Sequence, residues 1–298
     1  MRVFSRGSAL IRRFPFLPGA TVAISGLALV FALMSHTGVD IAFAAILALA
    51  ASAFVWGYSR RALKHALWPP LNHLQRRSYR EVWDSIAISR ETADVAVSGE
   101  PDEAGLRASA RPTVRNIVEL TAMTSHDDVL EIGCGVARIG YELASHCRTW
   151  TGADISANLL QYARERIVGF KNLSVVHLSE AALTEIPGSS LDVVYATNVF
   201  PHLDEIDRWK YVQEAFRVLR PGGRLFIDNV DLESSAGWTM FSNDAARFAR
   251  LERPPYMPRY STEAELAAYA THAGFQNVKA HHRSPLVIVT ASKPGTNP

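Results

Sequence analysis

The stretch Val129-Leu130-Glu131-Ile132-Gly133-Cys134-Gly135-Val136-Ala137-Arg138-Ile139-Gly140 decides how this chain is read. A short apolar run leads into a glycine turn and then into the start of a helix. Gly133 and Gly135 carry no Cβ, so the turn can take positive φ angles and a ligand can approach its backbone closely. The helix that follows presents unpaired N–H groups at its first turn, which suits an electron-rich ligand. A second acid, Asp154, ends the next strand-like run, Trp150-Thr151-Gly152-Ala153. In nucleotide-binding α/β folds an acid about 20 residues beyond the turn meets the ribose hydroxyls. The glycines alone carry little weight; strand, turn, helix and spaced acid together define a ligand-binding α/β unit.

Downstream, Leu173–Val176 and Asp192–Ala196 read as buried parallel strands, and Arg224–Ile227 as a fifth. Ser156 is placed to cap a helix bearing Leu159, Leu160, Ala163 and Ile167. A second helix is expected to bury Ile206, Trp209, Val212, Phe216 and Leu219, and a third opens at a Thr262/Glu265 capping box. Strands near residues 276–280 and 285–290 complete the sheet. Upstream, Pro112 is expected in the first turn of a helix carrying Val114, Ile117, Val118 and Leu120.

The pieces Glu131-Ile132-Gly133-Cys134-Gly135, Gly152-Ala153-Asp154-Ile155-Ser156, Leu191-Asp192-Val193-Val194, Arg217-Val218-Leu219-Arg220-Pro221-Gly222-Gly223 and Ala273-Gly274-Phe275 resemble those of the class I S-adenosylmethionine-dependent methyltransferases. The resemblance covers roughly residues 110–292 and implies a Rossmann-like seven-stranded α/β sheet with helices on both faces. It departs at Ala137, where the family often has glycine. A nicotinamide-dependent oxidoreductase is disfavoured, because Arg138 stands where such enzymes have a third glycine and no Tyr-x-x-x-Lys pair is present. As binding residues for S-adenosylmethionine the resemblance implies Glu131, Gly133, Cys134 and Gly135 for the methionine end and Asp154 for the ribose. It also implies Ile155, Glu180 and Ala181 around the adenine, and Asn198 near the transferred methyl group. No metal is expected.

The exit of the fourth strand, Thr197-Asn198-Val199-Phe200-Pro201-His202-Leu203, lies where ligands collect in open α/β sheets. His202 is therefore a candidate base, with Asp228 at the end of the neighbouring strand as a second candidate. Residues 230–260 fit no regular family element, and their aromatic content suggests either a wall or lid for an apolar substrate or the ordinary packing of a small extra helix.

The 298 residues have a formal net charge of +2 and two cysteines, Cys134 and Cys147. The first disfavours a nucleic-acid partner, and the second fits a reducing compartment. Charge is unevenly placed: Phe14–Val39 and Ile41–Tyr58 contain no Asp, Glu, Lys or Arg. Eighteen helical residues span roughly 27 Å, enough for a bilayer core. Arg2, Arg6, Arg12 and Arg13 precede the two runs, and Arg60, Arg61 and Lys64 follow them. The expectation is a transmembrane hairpin (spans about 15–35 and 41–58 within 1–59) with both ends cytoplasmic, in the style of a bacterial inner-membrane protein. A basic juxtamembrane linker and lead-in helix (60–109), the catalytic domain (110–292) and a tail (293–298) follow. The expected function is methyl transfer to a small or lipid-like hydrophobic acceptor. The alternative left open is a cofactor-binding scaffold without turnover.

Overall fold

The computed structural model describes residues 79–249 and 256–295. The expected hairpin and the linker up to residue 78 lie outside them. By its contacts the chain divides into Met1–Arg76 and Arg77–Pro298, and only the second unit is treated below.

Its sheet has the order β3-β2-β1-β4-β5-β7-β6, with β1 Asp128–Ile132, β2 Thr149–Asp154, β3 Leu173–His177, β4 Leu191–Ala196, β5 Leu219–Val230, β6 Gln276–Arg283 and β7 Leu286–Ser292. The first five strands pair in parallel, and β7 runs antiparallel to both of its neighbours. The period-two alternation of strands sorts side chains onto two faces. Leu130, Ile132, Val194, Ala196, Leu225 and Ile227 pack on one face against α6 (Glu205–Val218) and α8 (Glu263–His272). Val129, Val193, Tyr195, Phe226 and Ile288 pack on the other against α3 (Glu103–Thr121), α4 (Arg138–Leu143) and α5 (Ala157–Ile167). The strand order reverses between β1 and β4, which opens a crevice at their carboxyl ends.

Two helices precede α3: α1 (Tyr79–Ile86) and α2 (Arg90–Ser98). They are packed onto the sheet domain rather than forming part of a free linker. Ala87, Ala93 and Leu106 bury against Val136 of the glycine turn and Leu159 of α5. Arg80 of α1 donates to the carbonyls of Ile155, Leu178 and Ser179 at 2.9–3.3 Å. The Asp84 carboxylate accepts from Ser156 Oγ at 2.6 Å and from the Asn158 backbone at 3.2 Å.

Three expectations need correction. The lead-in helix begins at Glu103, capped by Asp102 accepting from Gly105 N at 2.8 Å. Pro112 therefore lies in its interior, and a continuous helix crosses the expected boundary at residues 109 and 110. Glu265 does not complete the capping box; Thr262 caps its amide, while the Glu265 carboxylate receives Arg208 at 2.9 Å and the Tyr269 hydroxyl at 2.8 Å. The same arginine turns the inward face of α6. Val212 and Leu219 are buried as expected and Trp209 and Phe216 are half-buried, but Ile206 is exposed, and Arg208, Tyr211, Ala215 and Val218 join the buried face. Besides Glu265, the Arg208 guanidinium donates to Phe200 O, Arg259 O and Ser261 Oγ at 2.8–2.9 Å. Those polar partners outweigh the apolar periodicity, because removing the cation would leave several buried acceptors unpaired. Accordingly, Arg208→Met should destabilise the fold by roughly 3 kcal/mol. Urea unfolding should show a lower midpoint at an unchanged slope.

Candidate active site

The glycine turn is held from the end of the neighbouring strand β2. Gly133 N and Cys134 N donate to Ala153 O at 2.7 and 3.1 Å. Gly135 N donates to Asp154 Oδ2 at 2.8 Å, and Oδ1 of the same carboxylate accepts from Ser156 N at 2.8 Å. Gly133, Gly135 and Ala137 all have positive φ (68°, 54° and 60°). Ala137 thus takes a left-handed conformation that suits the family's usual glycine better. A Cβ on Gly133 would lie 2.4 Å from Val199, and one on Gly135 would lie 2.8 Å from Val97. The turn is therefore closely approached by the β4 exit loop and by α2.

Between these elements lies an open cavity, with roughly 890 Å³ of empty space when its solvent-filled mouth is included. Glu131, Gly133, Cys134, Gly135, Asp154, Ile155, Asn198 and His202 line it, as the sequence implied. Glu180 and Ala181 do not. Strand β3 ends at His177, and Leu178 supplies the wall there, while Glu180 is exposed and Ala181 packs on the core. Sequence reasoning missed Arg138 and Tyr211, as well as Tyr79, Trp83, Ala96 and Val97 from α1 and α2. The described part of 230–260 contributes no lining side chain.

Burial decides the charges. Tyr195 sits beside Glu131 in the β1–β4 register; its hydroxyl donates to Glu131 Oε2 at 2.7 Å and accepts from Trp150 Nε1 at 2.9 Å. Desolvation pushes the Glu131 carboxyl up to about 8, against the pull of the Tyr195 hydroxyl and of Arg138. Desolvation likewise raises Asp154, opposed by its backbone donors. Arg138 is 7% exposed. Among the described residues its guanidinium donates to Ser109 Oγ at 3.4 Å and forms no ion pair within 4.0 Å.

Asp228 departs from the role expected of it. Its carboxylate does not line the cavity but accepts from Thr197 Oγ1 at 2.5 Å and from Asn198 N at 2.8 Å. It fixes the β4 exit loop, where Asn198 has φ 58°. Desolvation pushes it up to about 6. His202 does line the cavity, with its ring edge-on to Trp83 at 4.9 Å. Its Nδ1 lies 2.8 Å from Tyr256 O. A carbonyl only accepts, so Nδ1 carries the proton and Nε2 is the bare nitrogen. Burial lowers the His202 pKa, opposed by the Tyr256 bond and aided by Arg208.

Residues 129–223 match the family model described as "Methyltransferase domain". This segment is an S-adenosylmethionine-dependent methyltransferase domain. The chain is 23% identical over 164 residues to phosphoethanolamine N-methyltransferase 1 of Zea mays, covering 55% of this chain and 32% of the relative. It is 32% identical over 134 residues to the 27-O-demethylrifamycin SV methyltransferase of Amycolatopsis mediterranei, covering 44% and 48%. It is 26% identical over 148 residues to the demethylmenaquinone methyltransferase of Tropheryma whipplei, covering 50% and 57%. The chain thus spans about a third of the maize enzyme and about half of the other two. In fold it is similar to a chain of the complex between the Haloferax volcanii Trm112 methyltransferase activator and a methyltransferase, at TM-score 0.55 and 14% identity, covering 74% and 100%.

The residues of the methyltransferase domain suit the cofactor. A buried acid and a cation without an ion-pair partner share the cavity with Asp154 and with the apolar Ile155, Leu159 and Leu178. That mixture matches a ligand bearing an amino-acid group, hydroxyls and an aromatic base. The raised Glu131 also has a thermodynamic consequence. Between its ordinary range and about pH 8 the folded protein holds a proton that the unfolded chain releases, so stability falls as pH rises through that window. Asp228 adds a fall of the same sign up to about pH 6. In the Glu131→Gln variant the decline from pH 5 to 8, followed by urea unfolding without cofactor, should be shallower by about 2–5 kcal/mol.

Proposed function

We propose that this protein is a membrane-anchored methyltransferase that acts on a small, hydrophobic or lipid-like acceptor. The observation that carries the transfer reading is the cavity at the β1–β4 crevice, with Glu131, Arg138, Asp154 and the glycine turn on its walls. The apolar acceptor is supported by Trp83, Val97, Val199 and Leu203 in the same lining, and by two relatives named for demethylmenaquinone and 27-O-demethylrifamycin SV. Among the described residues no helix is long and apolar enough to cross a membrane. Anchoring rests on the uncharged runs Phe14–Val39 and Ile41–Tyr58 with their arginine flanks.

S-adenosylmethionine, when bound, supplies an electrophilic methyl group. Glu131 would hold the ammonium of its amino-acid group and Arg138 the carboxylate. Asp154 would hold the ribose hydroxyls, with Ile155 and Leu178 beside the base. Helices α1 and α2 exclude water, which strengthens every polar contact inside. Alignment of the acceptor carries most of the rate. The bare Nε2 of His202 takes the proton that an O–H or N–H acceptor must lose.

Incubating the full chain with methyl-labelled cofactor and either a total membrane-lipid extract or a soluble metabolite extract should label the lipid fraction. Label confined to the soluble extract would remove the lipid-like acceptor. His202→Ala should lower turnover by about 100-fold or more with cofactor affinity retained; near-normal turnover would leave the histidine a structural part of the loop. For the topology, a reporter fused after Tyr58 should stay cytoplasmic while one at Gly38 should face the other side. Export of the first would reverse the orientation.

A further inference from the structure

The helix α7 (Ser235–Phe248) follows β5, and of its fourteen residues only Gly237 is buried. Its base is nevertheless tightly seated. The Gly237 backbone lies so close to the Asp231 carbonyl that a Cβ would come within 1.9 Å of it. Ser234 caps the Gly237 amide, Asp231 bridges to Ser261, and Asp244 accepts from the Tyr260 hydroxyl at 2.7 Å. A firmly held helix thus leaves Trp238 55%, Met240 40% and Phe241 36% exposed. The rings are contiguous, Trp238 with Phe241 at 5.3 Å and Phe241 with Tyr260 at 5.5 Å.

In sequence Trp238, Phe241, Ala245 and Phe248 recur at helical spacing, so they share one face. At its carboxyl end Arg247 lies over the Phe248 ring at 5.3 Å, and Arg250 and Arg253 follow, with Glu252 the one acid from Ala245 to Arg259. Asp244, the acid within the helix, is engaged by Tyr260. An aromatic stripe ending in arginines has the chemistry of a helix lying in the interface of an anionic bilayer, with arginine stems snorkelling towards the headgroups. Tyr256, further along the chain, accepts at its carbonyl from Nδ1 of His202, a residue that lines the cavity.

We infer that α7 is a lipid-docking helix that rests on an anionic membrane surface beside the cavity. The docking itself does not depend on methyl transfer; only its consequence, presentation of the cavity to a lipid-borne acceptor, rests on the function proposed above. The two native cysteines are buried, so a nitroxide can be placed selectively on Phe241→Cys, or on Asn243→Cys as a control around the helix. The full chain is mixed with vesicles of phosphatidylcholine and phosphatidylglycerol, and the accessibility of each label to oxygen and to a water-soluble nickel chelate is measured. The label on Phe241→Cys should favour oxygen and that on Asn243→Cys the chelate. The immersion should be lost in vesicles of phosphatidylcholine alone, although a transmembrane hairpin would still hold the chain there. A Phe241→Cys label open to the chelate on anionic vesicles would overturn the inference, as would a chain left unbound. Spin–spin broadening that grows with the labelled fraction would also overturn it, by showing a second copy on the helix. None of these readouts uses turnover, so they stand apart from a failure of the methyltransferase reading.

Discussion

The site depends first on one carboxylate. Asp154 ends β2 and uses both oxygens on backbone amides, Gly135 N on the neighbouring turn and Ser156 N at the start of α5. It thereby joins the exits of β1 and β2 and holds the glycine turn where a ligand can lie against it. The cost is a buried charge, visible as the raised Asp154 pKa; charge-assisted bonds to two amides offset much of it. The same residue borders the cavity. The carboxylate that braces the turn thus also lies on the cavity wall, so a substitution there alters both.

Around it the interior is polar where a sheet core would ordinarily be apolar. Glu131, Tyr195 and Trp150 form one hydrogen-bonded row, and Asp228, Thr197 and Asn198 another. Each is reached through strand register: Glu131 faces Tyr195 across β1 and β4, and Ile227, next to Asp228, pairs with Ala196 at the end of β4. Desolvation of Glu131 outweighs the Tyr195 hydroxyl and the attraction of Arg138, so its anion is poorly stabilised. Glu131 is thus primed for a cationic ligand group, which would supply the compensation that the protein alone withholds. Asp228, with two donors, serves the loop instead.

What the sequence made legible was local. The strand–glycine–helix signature, the Asp154 spacing and the Ser156 cap depend on a few adjacent residues, and the structure assembles them as read. Features decided over long range were not legible. Nothing near Tyr79, Trp83 or Val97 signals a cavity more than thirty residues away in sequence, because their place follows from Arg80 and Asp84 finding partners just after β2 and β3 and at the start of α5. The inward face of α6 was read in part, with Val212 and Leu219 buried as expected; Ile206 was misplaced because helical periodicity counts apolar residues and gives no credit to an arginine with four acceptors. Glu180 was placed by analogy, whereas here Leu178, two residues earlier, lines the cavity. Exposure of α7 was also beyond pattern reading, since an amphipathic stripe looks the same whether it meets a core, a partner or a lipid surface.

The cap formed by α1 and α2 and the ligand site are physically one unit. Arg80 is held by the carbonyls of Ile155 and Leu178, and both residues line the cavity. Asp84 is held by Ser156, whose amide in turn binds Asp154. A ligand that orders these segments therefore strengthens the anchor points of the cap, and a closed cap in turn fixes the segments the ligand touches. Such reciprocity follows from linkage and needs no separate signal.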